Sequence, residues 1–316
     1  MKLTLNETAR WLLEHDDYLL LTHIRPDGDT LCSAAALARG LQTAGKHAWL
    51  LDNPGMTGRY RAYVGAYVAP AGFCPQHIVT VDTASETLFP DSAAQYRGSV
   101  ELSVDHHGSN TAYAQLVCVQ PEKAACGEIV LALLDLLNVQ LDREMAQLLY
   151  IAVSTDTGCF AYGNTTAETL YAAARLVAAG ADNKSVNKEF FRTRAKSRIA
   201  VEGAVLSGLQ FYRNGTIAAI VLTQEMIRKA GATEDDLENI ASLPAEIEGV
   251  DAGVTVRELG PGRSKISLRT TDAVDASRIC GLFGGGGHAQ AAGCSIDAEP
   301  GEAASRLVRA LETHWA

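Results

Sequence analysis

The stretch Tyr18-Leu19-Leu20-Leu21-Thr22-His23-Ile24-Arg25-Pro26-Asp27-Gly28-Asp29 decides the architecture of the first half of the chain. It opens on a short apolar run without polar alternation, which suits a strand covered on both faces. The run stops at an imidazole, and two carboxylates follow in Asp-x-Asp spacing. Pro26 and Gly28 fix an irregular loop in which those carboxylates can converge. A helix is expected from Thr30 to Ala44, with Gly45 as its stop. Strand, polar loop, helix is the repeating unit of an open α/β sheet, and such sheets carry their sites at the carboxyl ends of strands.

Further short apolar runs lie at 47–51, 78–81 and 100–104, and helical patterns at 6–16, 127–137, 143–155 and 166–179. Their alternation predicts a parallel sheet. After Gly180 the chain changes character. Residues 182–206 read as polar and helical. Residues 209–213, Asn214-Gly215 and 216–222 form a hairpin signal, since Asn-Gly supplies the positive φ angles of a tight turn. Alternating strands at 251–257 and 264–269, four glycines at 284–287 and a helix near 301–311 complete the chain. The expected fold class is α/β: a parallel-sheet metal-binding domain over 1–185, a helical connector over 186–208, and a smaller α/β domain over 209–316.

A length of 316 residues suits two such domains. With 47% hydrophobic and 20% charged residues, the composition is that of a soluble globular protein. The formal net charge of −10 repels polyanions, so nucleic acid is expected only as a short ligand at a local site, and long duplexes are excluded. Seven cysteines, at 32, 74, 118, 126, 159, 280 and 294, include no C-x-x-C pair, which points to reduced thiols. The first residues lack a signal-peptide pattern, and no stretch approaches the roughly 20 apolar residues of a membrane span. A cytoplasmic protein without a membrane partner is expected.

The His23, Asp27, Asp29 arrangement recurs in kind. Val79-Thr80-Val81-Asp82 and Ser103-Val104-Asp105-His106-His107 are apolar runs that also stop at metal-type ligands, and Asp156 follows the apolar segment 148–153. Helix capping accounts for Asp29 alone and leaves His23 and Asp27 unexplained. Two coordination sets are expected: His23, Asp27 and Asp82 for one cation, and Asp29, Asp82, His106 and Asp156 for the other, with Asp82 shared. Mixed carboxylate and imidazole ligation favours manganese over magnesium. Such a site suits phosphoester hydrolysis across two cations about 3.5–4 Å apart. His107 is expected to face the substrate phosphate, and Asp105 to orient an imidazole.

The segment Gly284-Gly285-Gly286-Gly287-His288-Ala289-Gln290-Ala291-Ala292-Gly293 can bring backbone N–H groups to an anion, helped by a helix starting after it. His288 with Gly286 and Gly287 is a candidate substrate contact, and Arg269 with Arg257 a candidate phosphate clamp. His15, His47, His77 and His314 have no ligand-like neighbours in sequence and read as surface or packing residues. Tyrosines 60, 63 and 67 stand near helical spacing and read as packing. Cys159 has no evident base beside it, and Asn164 reads as a helix start.

Together, His23-x-x-x-Asp27-x-Asp29, Asp82, Asp105-His106-His107 and Asp156 resemble the motifs of the DHH phosphoesterase family. The glycine-rich histidine segment resembles the hallmark of its associated C-terminal domain. The resemblance covers nearly the whole chain. It implies a bilobed protein with an interdomain cleft, the same metal roles, and two manganese ions per site with magnesium or cobalt as substitutes. The layout is most similar to the nano-RNase branch, whose members degrade di- to short oligoribonucleotides such as pApA, some also acting on 3′-phosphoadenosine-5′-phosphate. A cyclic di-AMP phosphodiesterase is the alternative, and an inactive nucleotide-binding module a second, opposed by the complete ligand set. A homodimer is compatible with either.

Overall fold

Strand β1 (Tyr18–Leu21) is buried at all four positions. In the computed structural model, which describes residues 1–237 and 240–315, it lies in a five-stranded parallel sheet of order β2-β1-β3-β4-β5. Its neighbours are β2 (Ala48–Leu50), β3 (His77–Val81), β4 (Leu102–Asp105) and β5 (Leu116–Val119). β1 pairs with β2 on one side and β3 on the other, so the strand order reverses there. That switch point leaves a crevice beyond the carboxyl ends of β1 and β3.

Successive side chains of the central strands β1 and β3 enter different cores, as a pleated strand covered on both faces requires. Tyr18, Leu20, Val79, Val81, Leu102 and Val104 join one cluster with α1 (Leu5–Glu14), α2 (Gly28–Thr43), α4 (Cys126–Leu136) and α5 (Arg143–Asp156). Leu19, Leu21, Ile78 and Val100 face the opposite cluster around Phe89 and Ala93. Helices α3 (Gly58–Val64), α6 (Ala167–Ala178) and α7 (Asn183–Val186) complete this part. Strand β5 was not among the sequence expectations. Its four residues, Leu116-Val117-Cys118-Val119, are all apolar, and its ends are half-buried.

The chain divides into two units, Met1–Thr193 and Arg194–Ala316. The second is a six-stranded mixed sheet of order β10-β11-β9-β8-β7-β6. It is built from β6 (Gln210–Tyr212), β7 (Ile217–Leu222), β8 (Ala252–Gly260), β9 (Arg263–Thr270), β10 (Gly286–His288) and β11 (Ala291–Ile296). The expected Asn-Gly turn joins β6 to β7, with φ of 53° at Asn214 and 90° at Gly215. Helix α8 (Lys196–Ser207), inside the segment 186–208, buries Val201 and Val205 with Ile220 and Leu222, near α9 (Gln224–Ala230). Helices α10 (Ala276–Gly281) and α11 (Pro300–Thr313) cover the other face.

One expectation is corrected here. No helix starts after the glycine run; Gly286–His288 is a strand pairing antiparallel with Ala291–Gly293. A Cβ on Gly287 would meet the Ala291 carbonyl at 2.5 Å, and one on Gly285 the Gly293 carbonyl at 2.2 Å. These glycines therefore serve close strand approach, and no helix dipole adds to their loop.

Candidate metal centre

The end of β1 and the start of α2 present the first three ligands. Asp27 caps α2, its Oδ1 accepting from the Thr30 N–H at 3.1 Å. Asp29, the residue the sequence suggested as a cap, sits inside the first turn and is buried. Its Oδ1 accepts from Ser33 Oγ at 2.8 Å and the Gly127 N–H at 2.9 Å, and its Oδ2 from the Cys126 N–H at 2.6 Å. It thereby caps α4, whose own N-cap Ala125 offers no side-chain acceptor. Gly28 between them is required: a Cβ there would lie 2.4 Å from Thr155 Oγ1.

Asp82 follows β3 in the left-handed region, with φ of 56°. A non-glycine residue held there costs on the order of 1–3 kcal/mol and persists where surroundings dictate it. Its N–H donates to the Val104 carbonyl at 2.9 Å, which ties the turn to β4. Its side chain is buried, and Oδ1 has no hydrogen-bond partner.

β4 delivers the imidazoles. Asp105 is fully buried and accepts from the backbone N–H of His106 (2.8 Å) and of His107 (3.1 Å), from His107 Nδ1 (2.8 Å) and from Asn110 Nδ2 (2.6 Å). His106 Nδ1 lies 3.1 Å from the Lys123 carbonyl, which can only accept, so Nδ1 carries hydrogen and Nε2 offers its lone pair. That Nε2 faces Asp82 at 3.3 Å, Asp156 at 3.4 Å and Asp29 at 3.8 Å. Asp156 is the last residue of α5, and Asn164 Nδ2 donates to its carbonyl at 3.2 Å. His23 Nε2 lies 3.6 Å from Asp27 and 3.7 Å from Asp82.

All six metal-ligand candidates therefore meet in one place. Their donor atoms fall into three overlapping groups: His23-Asp27-Asp82, Asp29-His106-Asp156, and Asp82-His106-His107. These groups fit cations. Asp82 Oδ1 is buried without a donor, and an uncompensated buried carboxylate is costly. Electrostatics agree. Burial raises Asp29 well above the carboxylate range, and the Asp82 and Asp156 charges add to it. Burial, with Asp82, pushes Asp156 up to about 6 against the opposing pull of His106. Burial lowers His106, but the adjacent Asp82 carboxylate and the Asp29 charge outweigh it and raise its pKa overall. Without cations such a cluster holds protons; a divalent ion replaces them.

The supporting partners Asn110, Ser33 and the Lys123 carbonyl were not evident in the sequence. Only the closeness of Asn110 to the Asp-His-His run hinted at any of them. The second-unit candidates are arranged differently from the expected clamp. Arg257 is held by both carboxylate oxygens of Glu234. Arg269 pairs in register with Gly253, four residues along β8 from Arg257, or about 13 Å at strand rise. The two backbones are thus offset along the sheet. Arg269 reaches the Leu268 carbonyl at 3.2 Å, while Gly286, Gly287 and His288 lie exposed on β10. Tyr67 is buried with its hydroxyl on Glu144, and Tyr63 donates to Glu189 at 2.6 Å. None of the seven cysteines is paired in a disulfide. No described helix is long and apolar enough to cross a membrane.

The profile of the DHH family N-terminal domain matches residues 18–153, and that of the DHHA1 domain matches 214–313. The chain belongs to the DHH family. Among curated DHH-family relatives, the bifunctional oligoribonuclease and PAP phosphatase NrnA of Thermus thermophilus is 32% identical over 88% of this chain and 83% of its own. The protein of the same name from Bacillus subtilis is 23% identical over 97% of each. An exopolyphosphatase-related protein from Bacteroides fragilis shares the fold, with a TM-score of 0.82 over 98% of this chain and 96% of its own, at 24% identity.

Proposed function

We propose that this DHH-family protein is a manganese-dependent phosphoesterase that cleaves short oligoribonucleotides to mononucleotides and also dephosphorylates 3′-phosphoadenosine-5′-phosphate. The observation that carries the reading is the buried Asp82 carboxylate, its Oδ1 without a hydrogen bond, between two sets of ligands. The names of the NrnA relatives supply the substrate class.

In this reading His23, Asp27 and Asp82 hold one cation, and Asp29, Asp82, His106 and Asp156 the other. Mixed nitrogen and oxygen donors favour manganese, with magnesium or cobalt as substitutes. Bound there, the cations supply Lewis-acid polarisation of the phosphoryl group and acidify water. The chain's own groups do the rest. Asp105 is a positioning residue: its hydrogen bond to Nδ1 holds His107 and raises its pKa, so that in the imidazolium form Nε2 donates to a substrate phosphate oxygen. Lys123 and Asn164 fix His106 and the carbonyl of Asp156 through backbone-directed bonds. Residues 209–316 receive the nucleotide, with Gly286, Gly287, His288 and Arg269 as its phosphate contacts, and 1–185 hold the cations.

The test is a product time course with manganese on a dinucleotide, a longer oligoribonucleotide, cyclic di-AMP and 3′-phosphoadenosine-5′-phosphate. Fast mononucleotide release from the dinucleotide is expected; turnover of cyclic di-AMP alone, or of none, would overturn the assignment. His288→Ala should raise KM several-fold while bound manganese stays constant, and loss of manganese would remove His288 from substrate binding.

A further inference from the structure

We propose a second divalent-cation site, independent of the catalytic centre, formed by Asp16, Asp17 and His47 at the amino ends of β1 and β2. In sequence His47 had no ligand-like neighbour. Parallel pairing of Tyr18 with Ala48 supplies them, because it sets the residues just before each strand side by side. The Tyr18 N–H donates to the His47 carbonyl at 2.7 Å, closing that register.

The separations suit a ligand set as well as an ion pair. Where an imidazole and a carboxylate are hydrogen-bonded in this molecule, the atoms close to 2.8 Å (His107 with Asp105) or 2.9 Å (His77 with Glu101). His47 Nδ1 instead stands 3.4 Å from Asp16 Oδ2 and 3.3 Å from Asp17 Oδ1. Those spacings match the catalytic cluster, where His106 Nε2 stands 3.3 Å from Asp82 and 3.4 Å from Asp156. They also match tetrahedral zinc: bonds of about 2.0–2.1 Å place neighbouring ligands about 3.3–3.4 Å apart. All three donor atoms lie within 4.8 Å of one another.

Each carboxylate is held from behind, as metal ligands are. Asp16 Oδ1 accepts from the backbone N–H of Asp17 (2.8 Å) and of His47 (2.5 Å). Asp17 Oδ2 accepts from Gln76 Nε2 at 2.7 Å. One oxygen of each is thereby turned towards His47 Nδ1. The neighbouring Lys46 ammonium is drawn away to the Leu13 carbonyl at 2.7 Å. One imidazole and two carboxylates suit zinc and its borderline neighbours better than magnesium or calcium, and the exposed side leaves a fourth position to water. The ion would tie the end of α1 to the start of β2.

The test measures bound zinc by equilibrium dialysis and metal analysis on the full chain, comparing wild type, His47→Ala and Asp17→Asn. Both variants should take up one zinc equivalent fewer than wild type while manganese-supported turnover is unchanged. An Asp82→Asn/His106→Ala double variant, its catalytic centre dismantled, should retain one equivalent. His47 is exposed, so its replacement leaves the core intact. Equal zinc in wild type and His47→Ala, or none in the double variant, would overturn the proposal.

Discussion

Asp82→Asn tests the metal centre most sharply, because asparagine keeps the shape and tolerates the left-handed backbone that Asp82 adopts, at φ of 56°. The charge is lost and one acceptor oxygen becomes an NH2 donor. Asp82 faces His23 at 3.7 Å, His106 at 3.3 Å and His107 at 3.4 Å, so one substitution weakens both ligand sets. Each site filled at a hundredfold excess over its Kd stabilises by about 2.7 kcal/mol, or about 5 kcal/mol for two independent sites. At roughly 2–4 °C per kcal/mol for a unit of this size, manganese should raise the wild-type midpoint by on the order of 10 °C. In Asp82→Asn that rise should fall to less than half, while the metal-free midpoint stays within a few degrees. If the cations contribute about 4 kcal/mol to the transition state, kcat should drop roughly a thousandfold. Differential scanning fluorimetry with and without manganese, together with dinucleotide turnover, reads both effects. A variant that kept activity within tenfold and the full manganese shift would refute a shared Asp82.

Asn110→Ala removes the 2.6 Å bond that holds Asp105 beneath His107. It should lower kcat about 10–100-fold with manganese stoichiometry unchanged, and restoration by Asn110→Ser would exclude a general loss of structure. Manganese affinity should weaken as pH falls through about 6, because Asp156, raised to that value by burial and Asp82, must lose its proton to bind. A raised pKa keeps the proton on to higher pH, so competition grows on acidification; a titration flat between pH 5 and 8 would contradict this. Gly28→Ala places a Cβ 2.4 Å from Thr155 Oγ1, so it should destabilise by about 1–3 kcal/mol in chemical denaturation. Thr155→Ala should recover part of that loss in the double variant, and no recovery would place the cost elsewhere.

The strand ends were readable because burial and ligation are both written locally. An apolar run that halts at His23, at Asp82 or at Asp105-His106-His107 announces a covered strand and the site beyond it. The second unit's hairpin was readable for a similar reason, since Asn214-Gly215 has few other uses. Readings that needed a distant partner failed or stayed open. Arg257 is paired with Glu234, a partner the sequence did not suggest. The glycine run suggested a helix start until β11 was seen to pair with it. Strand β5 was missed although its four residues are all apolar.

By itself the sequence determined the α/β class, the parallel sheet and the identity of six metal-ligand candidates, because hydrophobic periodicity and side-chain chemistry are properties of contiguous residues. Tertiary structure decided which oxygens those ligands keep free. Asp29 is oriented by backbone donors 97 and 98 positions away, Asp82 Oδ1 is left without any donor, and His47 meets Asp16 and Asp17 only through strand register. Hydrogen bonding saturates some lone pairs and strands others, and that outcome depends on where the fold brings remote backbone groups.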